Sequence, residues 1–266
     1  MTLTATAGGI TLDATSGQMV SAGSLNLNAT GGVTINDTLV AGGLTTIDAD
    51  SDAAGDDGDL NVADGATLGG VAEALDVTAN DVDLNTTGML LGTAVSITDS
   101  DGDGIGVGTV VVGDLNLSGA ELQQITASTG LTLITAGDIA VDGVTAANSD
   151  TVNLVTLDSA QGISFDTTAS TFDSLDAQAD DGIALNVDVS SDEGPLSFDG
   201  DADNAVDTTD DIAIADTVFR RTVSSGRVNN FSSESTHAGG RLPCRPITSS
   251  RVVRISSGVF KSINAS

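Results

Sequence analysis

The chain has 266 residues, enough for one or two ordinary domains or for a single elongated repeat domain. Aromatic residues are 2% of it, with neither Trp nor Tyr, which excludes a compact core built on large rings. The formal net charge is −30, and residues 1–217 hold 37 of the 38 acids with no Lys or Arg, so nucleic-acid phosphate would meet no cation there.

All eight basic side chains fall after Thr217, together with the single His237, the single Cys244, Pro243 and Pro246. Two compositions are therefore joined near Thr217: an acidic body of 1–217 and a basic, Ser/Arg-rich tail of 218–266. The tail is expected to lie outside the fold, unfolded, as an out-of-frame readthrough or a basic anchor. One Cys cannot form a disulfide framework within the chain. No run of 18 apolar residues exists, so no transmembrane helix is expected. "MTLTATAGGITLD" lacks the basic start and apolar core of a signal peptide. If the protein is exported, this chain is expected to be a fragment or its signal to lie elsewhere.

Taken in chain order, short alternating segments recur between turns. "GITLD" (9–13) is followed by "SLNLNA" (24–29), "GVTIN" (32–36), "GLTTI" (43–47), "ALDVTA" (74–79) and "DVDLN" (81–85). "TVVVGDLNLS" (109–118) precedes "GAELQQITAS" (119–128), the best helical candidate in a sequence with little helical periodicity. "DIAVD" (138–142), "GISFD" (162–166) and "GIALN" (182–186) then repeat the opening pattern. Alternation with a period of two is the mark of strands with one buried face, and the Gly, Asn, Asp and Ser between them is turn chemistry. The body's acids are 34 Asp against three Glu, so the acidity belongs to turns.

The five-residue pattern starts at Gly9, Gly32, Asp81, Asp138, Gly162 and Gly182, in steps of 23, 49, 57, 24 and 20 residues. Two steps are about double the rest, implying one unit of roughly 20–28 residues. Small aliphatic residues on such a unit favour an all-β fold, a parallel β-helix or β-solenoid, over an array of sandwiches. Its inward positions are expected to include Ile10, Leu12, Val33, Ile35, Val82, Leu84, Ile139, Val141, Ile163, Phe165, Ile183 and Leu185.

"ELQQITASTGLTLITAGDIAVDGVTAANSDTVNLVT" (121–156) and "DDGIALNVDVSSDEGPLSFDGDADNAVDTTDDIAI" (180–214) resemble the giant bacterial β-strand-repeat surface proteins related to filamentous haemagglutinin adhesins. The resemblance implies a right-handed parallel β-helix in a secreted or cell-surface filament. It covers most of the body and none of the tail, and carries no catalytic residue. The implied function is non-enzymatic, structural or adhesive, with extracellular surfaces, carbohydrate or other proteins as partners.

Three Asp-rich stretches have the spacing of calcium loops, in which alternate carboxylates surround the ion and the sixth residue turns sharply. Asp99, Asp101 and Asp103 occupy positions 1, 3 and 5, with Gly104 at 6 and Val110 in place of the terminal acid. Asp48, Asp50, Asp52 and Asp59 occupy 1, 3, 5 and 12, with Ala53 at 6. Asp199, Asp201, Asp203, Asp207 and Asp210 give the fullest match, with Asn204 at the left-handed turn. Solenoid turns select Asp and Gly without any ligand, so structural turns and weak Ca2+ sites are both consistent with these stretches. A calcium-dependent carbohydrate- or protein-binding module is the alternative function. A β-helix polysaccharide hydrolase, using an Asp pair such as Asp180/Asp181 or Asp210/Asp211, is a remote one, since no Trp or Tyr exists to stack on sugar. The glycines from Gly102 to Gly108 lead into strand rather than helix, which excludes a dinucleotide loop.

Overall fold

The computed structural model describes residues 1–14, 17–21, 23–55, 57–205 and 210–215, and beyond these the backbone of 219–224, 227–232 and 253–255. Among the described residues the chain winds into nine stacked coils, each contributing strands to up to three faces, and neighbouring coils pair in parallel. The body is therefore a parallel β-solenoid, about 40 Å long at ~4.8 Å per coil.

The first face begins at Thr2–Ala5 and proceeds through Leu25–Ala29, Thr45–Asp48 and Leu75–Ala79. It continues through the C-terminal halves of Met89–Asp99 and Ile125–Thr135, then Val155–Ser159, Leu175–Ala179 and Leu196–Asp199. Like residues stack on like: Leu27, Ile47, Val77, Ile97, Leu133 and Leu157 form one inward column. All six are buried. Each contributes about 1.5–3 kcal/mol by leaving water, so the fold needs no large ring.

All six copies of the five-residue pattern lie on the second face. Ile10, Val33, Val82, Ile139, Ile163 and Ile183 are stacked residues of its strands. The double steps hide Leu60, which pairs with both Val33 and Val82, and Ile105, which pairs with Ile139. Ten of the twelve expected inward residues are buried; Ile10 and Leu12, in the first coil, are half-buried against the same core. The pattern's fifth residue stitches coils together. The Asn36 side-chain amide donates to Asp13 Oδ1 at 2.8 Å, and that of Asn186 to Asp166 Oδ1 at 2.6 Å.

An insertion interrupts the stack at the fifth coil. After Ile105–Gly108 the chain loops back, and Leu115–Ser118 lies beside that strand, Leu115 opposite Ile105. Gly108 makes this corner at φ 94°, where a side chain would run into the Asp142 carbonyl. Leu115–Ser118 is not bonded to the strand Val82–Asp83 of the coil below, but the Asp81 carboxylate accepts from Asn116 N at 3.2 Å instead. The helix α1, Gly119–Gln123, follows with a Ser118/Glu121 capping box. It is shorter than the 119–128 candidate because Ile125, Thr126 and Ala127 pair with Leu90, Leu91 and Gly92, which commits them to strand.

The third face starts with Met19–Ser21, Leu39–Ala41 and Thr67–Gly69, and the N-terminal halves of Met89–Asp99 and Ile125–Thr135 extend it. A second short helix, α2 (Ala146–Ser149), precedes a single bridge from Val152 to Ala127. Ser170–Phe172 and Val189–Ser191 complete the described side chains of this face. Beyond Thr217, the backbone of Phe219–Ser224 pairs in parallel with Val189–Ser191, and Arg227–Ser232 and Val253–Ile255 run antiparallel to their neighbours. The rest of the tail, His237 and Cys244 included, lies outside the described residues, so the expectation of an unfolded tail falls there.

Candidate metal centre

The three Asp-rich stretches all occupy one corner of the solenoid, where the first face turns into the second. Residues 49–59 link Thr45–Asp48 to Leu60–Val62 in the third coil, 100–104 link the two faces in the fifth, and 200–211 do so in the ninth. The sixth loop residue has positive φ in each: 46° at Ala53, 122° at Gly104 and 54° at Asn204. The left-handed turn expected at Asn204 is thus present.

Among the described residues, only one trio brings carboxylates together. One oxygen from each of Asp99, Asp101 and Asp103 lies within 4.8 Å of the other two. Asp99 is the last residue of Met89–Asp99 and points inward, in register with Ala79, and its hydroxyl partner Thr135 belongs to the next coil. Its side chain is only 5% exposed, whereas Asp101 and Asp103 stand in solvent. The first position of the loop pattern is thus the last residue of a strand.

Each carboxylate uses one oxygen on polar hydrogens close by. Asp99 Oδ2 accepts from Thr135 Oγ1 at 2.6 Å and Gly104 N at 3.1 Å. Asp101 Oδ1 accepts from Asp103 N at 3.5 Å, and Asp103 Oδ1 from Asp114 N at 3.3 Å. Asp99 Oδ1 is sealed from solvent without a hydrogen-bond partner. Burial pushes the Asp99 carboxyl above its ordinary range; the Asp101 carboxylate adds to this, while Thr135 and Gly104 oppose it. Asp103 is also raised, by burial and by the charges of Asp101 and Asp114. Gly104 is required here for space, because a Cβ would lie 2.7 Å from the Asp138 carbonyl oxygen.

The other two loops place their acids differently. In the first, Asp50 is buried against Gly58, and its Oδ2 accepts from Ser100 Oγ at 2.7 Å, across to the fifth coil. Asp59 Oδ1 instead accepts from Asn80 Nδ2 at 3.3 Å, while Asp52 is exposed. Asp48 is half-buried and its carboxyl is raised by burial and by Asp50. Among the described residues, Asp48, Asp50, Asp52 and Asp59 form no three-carboxylate group. In the last loop Asp199 Oδ1 accepts from Asp201 N at 3.3 Å, and Asp203 Oδ1 from Ala205 N at 2.8 Å. Asp201 is buried and Asp210 half-buried, and Asp207 lies outside the described residues. Asp180 is half-buried beside exposed Asp181, its carboxyl raised by burial and then by Asp203, Asp158 and Asp181.

Spacing along the chain did not reveal Thr135 or Asp114, which hold the trio from 36 and 11 residues away. Their signal was the coil register, readable only once the insertion at 109–124 is assigned. Compared with family models, curated proteins and solved structures, the chain matches none.

Proposed function

We propose that the body is a non-enzymatic structural rod, a repeat segment of a secreted or cell-surface filament that provides reach and surface presentation. The observation that carries this reading is the parallel register of the first face, maintained coil on coil from Leu25 to Leu196. Such a stack grows by ~4.8 Å with every added coil and stores its stability in nearest-neighbour contacts, which suits a spacer. The resemblance to β-strand-repeat surface proteins points the same way. For adhesion, Val20, Val71 and Val111 stand 68%, 73% and 75% exposed and offer apolar contact to a surface.

A second reading, a calcium-dependent module binding carbohydrate or protein, is supported by the Asp99, Asp101 and Asp103 trio. Displaying one, two or three tandem bodies between a cell-surface anchor and a terminal tag separates the readings. The rod reading expects tag height to rise about 40 Å per body, with attachment following height and unaffected by chelator. Attachment to glycan or protein lost on chelation favours the second reading. Release of reducing sugar from polysaccharide, abolished by Asp180→Asn or Asp181→Asn, would overturn both.

A further inference from the structure

We infer that Asp99, Asp101 and Asp103 form a calcium site that locks the fifth coil to the sixth, with Asp99 as its buried inner ligand. The inference rests first on where Asp99 stands. The residues aligned with it along the first face are Ala79, Thr135, Ser159 and Ala179, all small and uncharged. A carboxylate in that column is 5% exposed and, among the described residues, meets no basic side chain, since residues 1–217 contain none. Burying an ion without a counter-ion is costly, and a bound cation removes that cost. The second observation is that Asp99 Oδ1 is buried and accepts no hydrogen bond; Asp50 Oδ1 and Asp201 Oδ1 are sealed likewise, but among the described residues only Asp99 has two further carboxylates beside it.

The ion's class follows from the ligands and their span. Three carboxylates are hard oxygen donors that suit a hard divalent cation. Oxygens within 4.8 Å of one another can share one such ion. An irregular, incomplete ring suits calcium, whose coordination is flexible, better than magnesium, which demands a near-ideal octahedron. The ring of donors is incomplete, because Val110 stands where a loop would supply its bidentate acid, so water fills the remaining positions. Affinity is then in the ~0.1–1 mM range of extracellular modules.

The link between coils comes through Thr135. Its hydroxyl holds Asp99 Oδ2 from the next coil, while Asp103 is held by Asp114 N from the inserted loop. The ion therefore ties together the end of one strand, the corner turn and the insertion, and indirectly the coil above. The rod reading stands whether or not the site binds.

The test is a set of thermal melts of the full chain in chelator, in calcium at about tenfold saturation, in magnesium at equal concentration, and in sodium chloride of equal ionic strength. Tenfold saturation multiplies the folded-to-unfolded ratio about 11-fold, or ~1.4 kcal/mol. The midpoint should rise about 3–6 °C above that in sodium chloride, and less in magnesium. Asp99→Asn and the exposed Asp101→Asn should each abolish the excess. In chelator Asp99→Asn should melt no lower than the unaltered chain, because its amide oxygen still accepts from Thr135 and Gly104 without a buried charge. Asp201→Asn, in the last loop, should retain the excess. Equal midpoints in calcium and sodium chloride would overturn the inference. So would an excess that survives both Asp99→Asn and Asp101→Asn, one lost only with Asp201→Asn, or an equal response to magnesium.

Discussion

Replacing Gln124 by alanine should cost the protein about 3 kcal/mol of stability. Gln124 caps α1, and its Nε2 points at three backbone carbonyls of the fourth coil: Leu84 at 2.7 Å, Asn85 at 2.6 Å and Gly88 at 2.6 Å. Two hydrogens serve three acceptors, so the amide is shared. Truncation leaves the Leu84 and Gly88 carbonyls part-buried and unpaired, at about 1–3 kcal/mol each, while the exposed Asn85 carbonyl finds water. In a body of this size the loss corresponds to a fall in Tm of about 6–12 °C. Urea unfolding measures the total, and hydrogen exchange locates it, because Met89 N to Ala66 O and Leu90 N to Gln124 O are the bonds beside the turn. Gln124→Glu sharpens the test by facing a carboxylate toward three carbonyl oxygens. It should be worse than Gln124→Ala at neutral pH. A Gln124→Glu protein as stable as the unaltered one, or an alanine cost below about 0.5 kcal/mol, would show that the clamp does not hold the insertion to the stack.

Deleting residues 155–174 removes one whole coil, since Val155 pairs with Leu175 and Ile163 with Ile183; the shortened body should keep its β circular dichroism and cooperative melt, whereas deleting 155–164 should abolish both. Phe165→Ala opens a cavity beside Phe198, whose ring meets Phe165 edge-on at 5.9 Å, and should cost about 3–5 kcal/mol in urea unfolding. Acidification in chelator should stabilise the body, reversing the usual acid response. Burial raises Asp81, aided by Asp59 and Glu121, and raises Asp173, aided by Asp192, Glu193 and Asp150; Asp48 and Asp180 shift the same way. A carboxyl whose folded pKa lies above its unfolded value binds its proton more tightly when folded. Its contribution is complete below the ordinary Asp value of 3.8 and is lost as pH rises through the folded value. Tm should therefore climb as pH falls from 7 toward 4, and a steady decline would refute it.

The solenoid was legible in the sequence because its information is local. Every coil solves the same problem, so the Ile or Val, any residue, apolar pattern recurs wherever the second face recurs, and alternation alone assigns inside and outside at Val33, Ile139 or Ile183. The turn residues were legible for the same reason: Asn204 takes positive φ, as its side chain permits. What the sequence did not reveal was which loop gathers its acids. The 199–210 stretch has the most complete spacing, yet among the described residues only Asp99, Asp101 and Asp103 converge. Spacing within a loop says nothing of the strand that leads into it. Asp99 faces inward because it continues the alternation of Val95 and Ile97, and its register with Ala79, twenty residues away, seats it in a column of small residues. The insertion was hidden likewise, since Leu115–Ser118 alternates like any strand, and only its pairing with Ile105–Gly108 shows that it adds a level to one face. Local pattern decides which side of a strand is apolar; only contact between coils decides what stands beside it, and both the buried Asp99 carboxylate and its hydroxyl partner depend on that contact.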